Sequence, residues 1–155
     1  LSTAFPEVRL KSFLEMRGAD GGPWSRICAL PAFWVGLLYD QGALDAAWDL
    51  VKDWDMAGRE ALRGAVPKLG LDAPLPKSFR GGGGTLRDIA GEVLAISRSG
   101  LTARGKLNAS GDNETCYLAP LDEIVASGKV PAQRLLDKFH GEWDGDMARV
   151  YEESF

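Results

Sequence analysis

Histidine, cysteine, a surplus of basic residues and a long apolar run are all scarce or missing in this chain, and each shortage excludes a class of function. Two cysteines, Cys28 and Cys116, are too few for a secreted disulfide scaffold. Neither stands in a CxxC or CxxH spacing that would suggest zinc, so a reducing cytoplasm is the expected compartment. His140 is the only histidine, which removes a His-rich metal site and leaves no choice of base for a Ser-His-Asp triad. Lysine and arginine number 18 against 22 acidic residues, a net charge of -4. That balance leaves no basic footprint for nucleic acid and no polybasic anchor for a membrane. The longest apolar run, Ile27 to Leu38, falls short of the roughly 20 residues that a bilayer-spanning helix needs, and reads as a buried helix.

What is present suits one soluble domain: 45% of the residues are hydrophobic and 26% charged. The opening Leu1-Ser2-Thr3-Ala4-Phe5-Pro6 has neither an initiating methionine nor a charged signal-peptide start, so the chain is expected to begin mid-protein. From Val8 to Arg17 apolar and charged residues alternate, which predicts a strand. A lone strand leaves its backbone groups unpaired, so a partner sheet is expected from chain outside this sequence. Gly18 to Pro23 then forms a glycine-rich turn.

The rest reads as helices. Pro31 suits the first turn of an apolar helix, and Gly42 interrupts it. Leu44, Ala47, Trp48, Val51 and Trp54 fall on one stripe of a second helix. Asp55 caps a third that Pro67 stops, and Thr85 with Asp88 forms a capping box for a fourth that Gly100 ends. Gly70 to Gly84, with two prolines and four successive glycines, predicts an irregular connection. Gly128 closes a short helix, and Pro131 opens one with Leu135, Leu136 and Phe139 at its core. Trp24, Trp34, Trp48, Trp54 and Trp143 read as core aromatics.

Glu15-Met16-Arg17 is the constellation whose placement suggests chemistry. Alternate residues of a strand project to one side roughly 7 Å apart. A carboxylate there can hold Mg²⁺, while the guanidinium grips a carboxylate or phosphate. The competing reading is a surface cross-strand charge pair. Gly100 to Leu107 approaches the phosphate loop G-x-x-x-x-G-K-[ST], but Leu107 replaces the hydroxyl and the preceding pattern is helical rather than a strand.

Three stretches carry a family resemblance: Glu7-Val8-Arg9-Leu10-Lys11, Phe13-Leu14-Glu15-Met16-Arg17-Gly18-Ala19-Asp20-Gly21-Gly22-Pro23-Trp24, and Cys28-Ala29-Leu30-Pro31-Ala32-Phe33-Trp34-Val35-Gly36-Leu37-Leu38-Tyr39-Asp40. Together they resemble the C-terminal portion of the plant-type glutamate-cysteine ligases of plants and proteobacteria. Looser similarity continues to His140-Gly141-Glu142-Trp143. The resemblance implies a mainly α fold with an N-terminal β-strand, the C-terminal part of a glutamine-synthetase-like α+β ligase. Residues 1–24 would supply the catalytic-sheet strand and glycine-rich turn, and 25–155 a helical subdomain.

The chemistry so implied is ATP-dependent formation of γ-glutamylcysteine from L-glutamate and L-cysteine through a γ-glutamyl phosphate, the first step of glutathione biosynthesis. By the family's E-x-R pattern, Glu15 would be a Mg²⁺ ligand and Arg17 would hold the phosphoryl group or the glutamate γ-carboxylate. Asp20 and Trp24 are the further substrate-binding candidates. Cys28 is a redox candidate, since plant members carry a regulatory disulfide and it lies where one such cysteine occurs; its plainer reading is a buried thiol at a helix start. Most ATP contacts would come from the remainder of the longer chain, so the 155 residues alone are expected to be inactive. The implied compartment is the bacterial cytoplasm or the plant plastid. Nucleic acid and membrane are not expected as partners, and the oligomeric state stays open. The rival reading, from a different class, is a non-catalytic helical protein-interaction domain.

Overall fold

The computed structural model describes residues 7–19, 21–79 and 82–154. The N-terminal alternation is not one strand but two, β1 (Val8–Leu10) and β2 (Leu14–Met16), paired antiparallel with Arg9 opposite Glu15. The expected solitary strand is therefore corrected to a hairpin that supplies its own partner. Residues 11–13 make the reversal, where Ser12, a weaker turn former than Gly, Asn or Asp, is the one residue of Lys11, Ser12 and Phe13 that announces it.

Eight helices follow among the described residues: α1 (Trp24–Ile27), α2 (Ala29–Leu38), α3 (Gln41–Val51), α4 (Met56–Leu69), α5 (Leu86–Arg104), α6 (Ala119–Ser127), α7 (Pro131–His140) and α8 (Arg149–Ser154). Short 3-10 turns stand at Gly70–Asp72 and Glu114–Leu118. Local caps set several boundaries. Asp55 accepts from the Gly58 N–H at 2.8 Å and opens α4, while the Thr85 N–H donates to Asp88 Oδ2 at 2.7 Å in the capping box of α5. Asp40 caps α3 by accepting from Ala43 N at 2.9 Å, so Gly42 lies inside the first turn of α3 instead of separating two helices.

Two other expected stops are passed. α4 runs through Pro67 to Leu69, and α5 runs through Gly100 to Arg104, where Gly105 takes a left-handed conformation. Gly100 has a tertiary role. It is buried where α2 crosses α5, and a Cβ added there would lie 1.9 Å from the Gly36 carbonyl oxygen. A Cβ on Gly36 would meet the Ser97 carbonyl at 2.3 Å. The two glycines let the backbones touch, and the buried Ser97 Oγ donates to the Phe33 carbonyl at 2.9 Å across the same crossing.

The core forms two clusters. Ala32, Leu94, Leu101 and Leu118 fill the space between α2, α5 and the start of α6. Leu62, Ala73 and Phe79 fill a second under α4, where Trp54 stacks on Phe79 with ring centroids 4.1 Å apart. Two clamps hold α6 on α5. Arg87 donates to the carbonyls of Val125 (2.6 Å) and Ala126 at the C-terminal end of α6, and Arg98 makes a two-pronged bond to Asp122 near its start. Several core assignments are corrected. Trp24 is 80% exposed and Trp48 62%, and Ile27, Leu30, Leu135 and Leu136 are exposed as well. An amphipathic pattern names the face that prefers burial; it does not supply the element that covers it. Among the described residues no helix is long and apolar enough to cross a membrane.

Candidate functional site

The hairpin brings Glu15 to a residue from the other strand. Opposed positions in an antiparallel pair share a face, and Arg9 Nε donates to Glu15 Oε2 at 2.6 Å. That hydrogen bond, reinforced by the charges of Arg9, Lys11 and Arg17, holds the Glu15 carboxyl below its ordinary value of 4.5. Glu15 is thus an ionised, half-buried oxygen donor that already has a cation beside it. The cross-strand charge pair weighed against a metal role is present.

Arg17 lies one residue beyond β2, and its backbone N–H donates to the Glu7 carbonyl at 2.7 Å, prolonging the pairing. Glu7 in turn reaches Arg63 of α4 at 3.3 Å, which ties the hairpin to the helices through an exposed ion pair. Trp24 opens α1 after Pro23, whose fixed φ of -65° suits the position before a helix. Asp20 lies outside the described residues. Cys28 sits at the α1–α2 junction and is exposed, not the buried thiol expected; Cys116 is likewise free and exposed.

The glycine-rich turn does border a cavity. Ala19, Gly21 and Gly22 form one rim of an open groove of about 660 Å³ whose walls come from α1, α2, α5 and α6. Glu15, Arg17, Trp24 and Cys28 are not among its lining residues, and the lining is apolar except for Arg26. Such walls offer little to a triphosphate or an amino acid. Arg26 went unremarked in the sequence because nothing in its spacing marks it; only folding sets it against Gly22, from whose Cβ position its Nε is 3.8 Å away. Arg9 was overlooked for a related reason, since its approach to Glu15 depends on the weakly signalled turn at 11–13.

Among the described residues no three His, Cys, Asp or Glu side chains converge as a metal cage. What the hairpin offers is one ionised carboxylate flanked by guanidinium groups. A Mg²⁺ ion held chiefly by substrate phosphates and water commonly takes only one or two carboxylates from the protein; Arg9 engages Glu15 Oε2, which leaves Oε1 as the oxygen this carboxylate would offer.

The fold and these groups define a mostly helical unit led by a charged β-hairpin. Comparison with known proteins narrows the class. The family model described as glutamate-cysteine ligase family 2 matches residues 1–153. Over 153 residues and 99% of the chain, the sequence is 50% identical to the chloroplastic glutamate-cysteine ligase of Arabidopsis thaliana, 48% to chloroplastic glutamate-cysteine ligase A of Oryza sativa subsp. indica and 47% to the chloroplastic enzyme of Solanum lycopersicum. The chain belongs to glutamate-cysteine ligase family 2. It spans 27 to 29% of the length of these curated relatives.

Proposed function

We propose that these 155 residues are the C-terminal portion of a glutamate-cysteine ligase, which joins L-glutamate to L-cysteine at the expense of ATP in the first step of glutathione synthesis. The observation that carries this reading is the match at about half identity over 99% of the chain to proteins of that name. The ionised Glu15 and the neighbouring arginines support it chemically. Transfer of a phosphoryl group to the glutamate γ-carboxylate gathers negative charge at one place, and cationic groups aimed there lower the barrier.

In this reading Arg17 grips the transferred phosphoryl group or the γ-carboxylate, and Glu15 is the carboxylate that would hold Mg²⁺. The bound ion supplies charge neutralisation at the phosphates. Arg9 orients Glu15 through its hydrogen bond, so it acts through Glu15 as a positioning residue. Asp20 and Trp24 contribute to substrate binding, and the exposed Cys28 is open to redox control. The hairpin joins further strands of a glutamine-synthetase-like sheet, since a two-stranded hairpin is marginal alone. Residues 1–24 form the catalytic part and 25–155 the helical subdomain. A plant protein of this kind works in the plastid and a bacterial one in the cytoplasm.

The test is γ-glutamylcysteine formation by the full-length protein with ATP and Mg²⁺, wild type against Glu15→Gln. Product from the wild type and loss of about a hundredfold or more in the variant is expected, because a charged ligand is removed from a charge-stabilising site. A well-folded wild type that makes no product overturns the ligase reading and leaves the interaction-domain reading ahead.

A further inference from the structure

The groove beside the glycine-rich turn is an uncovered apolar feature of the described residues, and its lining holds one charge. Ile27 and Leu30 on one side, Ile89 and Val93 of α5 below, and Leu121 and Ile124 of α6 opposite enclose about 660 Å³. Ile27 is 53% and Leu30 40% exposed, so the walls present apolar surface to water. Arg87 and Arg98 pin both ends of α6 to α5, which fixes two of the groove's walls against each other.

Arg26 stands where this groove meets a smaller pocket of about 140 Å³ that Glu123 and Arg134 also line. Arg134 Nη1 donates to Glu123 Oε1 at 2.8 Å, and that acid forms no ion pair with Arg26. Arg26 has no ion-pair partner among the described residues. A partly buried guanidinium on an apolar rim calls for a carboxylate that the described part of the chain does not bring to it.

We propose that the groove is the seat of a segment of the longer ligase outside these 155 residues, one that fills it with apolar side chains and sets a carboxylate against Arg26. This rests on the reading of the chain as a portion of such a protein. Its matched relatives have nearly three quarters of their length outside the matched region, ample chain to supply the segment. A second copy is a poorer occupant. A two-fold contact groove to groove would bring two Arg26 cations into one apolar interface whose lining contains no acid. The groove then serves the site indirectly, since whatever fills it also buttresses Gly21 and Gly22 at the turn.

The experiment replaces Leu30, and separately Ile27, with p-benzoylphenylalanine in the full-length protein, irradiates it and maps the adducts by mass spectrometry. Both positions are exposed enough to tolerate the probe. An adduct within one polypeptide, to a peptide outside the 155 residues, is the expected result. Arg26→Glu should lower its yield about tenfold through like-charge contact, and Arg26→Lys should retain it. Adducts joining two copies, adducts confined to the 155 residues, adducts to a co-purified small molecule, or no adduct at either position would each overturn the proposal. Turnover is assayed on the same protein without the probe. Inactive protein with the intrachain adduct sinks the functional reading alone; active protein without it sinks the groove assignment alone.

Discussion

Gly100→Ala adds one methyl group at the crossing on which the helical unit depends. The new carbon would stand 1.9 Å from the Gly36 carbonyl oxygen and 2.9 Å from the Ala43 Cβ. Because ordinary contact begins near 3.4 Å, α2 or α5 must shift by about 1.5 Å, and the obstacle is backbone that cannot rotate away. Overpacking of this kind costs up to about 3 kcal/mol. The better helix propensity of alanine returns about 1 kcal/mol, leaving a net loss of about 2 kcal/mol, or a fall of roughly 4–8 °C in Tm. Gly64→Ala is the matched control. Gly64 lies in α4 with no heavy atom within 4 Å of its Cβ position, so the same substitution there should stabilise by up to about 1 kcal/mol. Urea unfolding of the three proteins measures the difference, and Gly36→Ala combined with Gly100→Ala should cost less than the sum of the two. A Gly100→Ala protein as stable as the wild type would refute the close-approach argument.

Arg9→Gln should raise the Glu15 pKa toward 4.5, since the lowering comes first from the Arg9 hydrogen bond. A carboxylate lowered in the folded state contributes stability above its unfolded value and loses it as pH falls through the folded value. The affected window therefore lies below about pH 4.5, and a carbon-13 NMR titration of Glu15 that is identical in both proteins would sink the assignment. Arg87→Ala removes the clamp on the α6 carbonyls of Val125 and Ala126 and should cost about 1–2 kcal/mol, with faster amide exchange in residues 121–128. Unchanged exchange would show that α6 is held by its apolar contacts alone. Both cysteines are exposed and free, so Ellman's reagent should titrate two thiols per chain without denaturant. A thiol that reacts only after unfolding would contradict the placement of its residue.

Much of the helical part is readable from local chemistry, because a cap is decided by a few adjacent residues. Asp55 before α4, Thr85 with Asp88 before α5, Gly128 after α6 and Pro131 at the start of α7 all stand where their side chains and permitted φ angles put them. Glu15 and Arg17 could be singled out for the same reason, as alternation alone places them at a strand end before a glycine-rich turn. Gly42, Pro67 and Gly100 show the limit. Each looks like a breaker, yet Asp40 caps α3 just ahead of Gly42, α4 continues through Pro67 to Leu69, and at Gly100 it is the close α2–α5 crossing that uses the glycine within α5.

By itself, then, the sequence determined a mostly helical chain with a charged strand ahead of a glycine turn, and its order of residues carried the family. Only the tertiary structure decided that the strand folds back on itself, that Arg9 rather than Arg17 donates to Glu15, and that Gly100 is a contact between helices. It also decided that Trp24, Trp48 and Cys28 face outward, while Arg26 comes to the edge of an apolar groove. The division has a physical cause. Capping, turn chemistry and periodicity are energies of neighbours along the chain, whereas pairing partners and covered faces depend on residues far apart in sequence, which only the packed chain brings into contact.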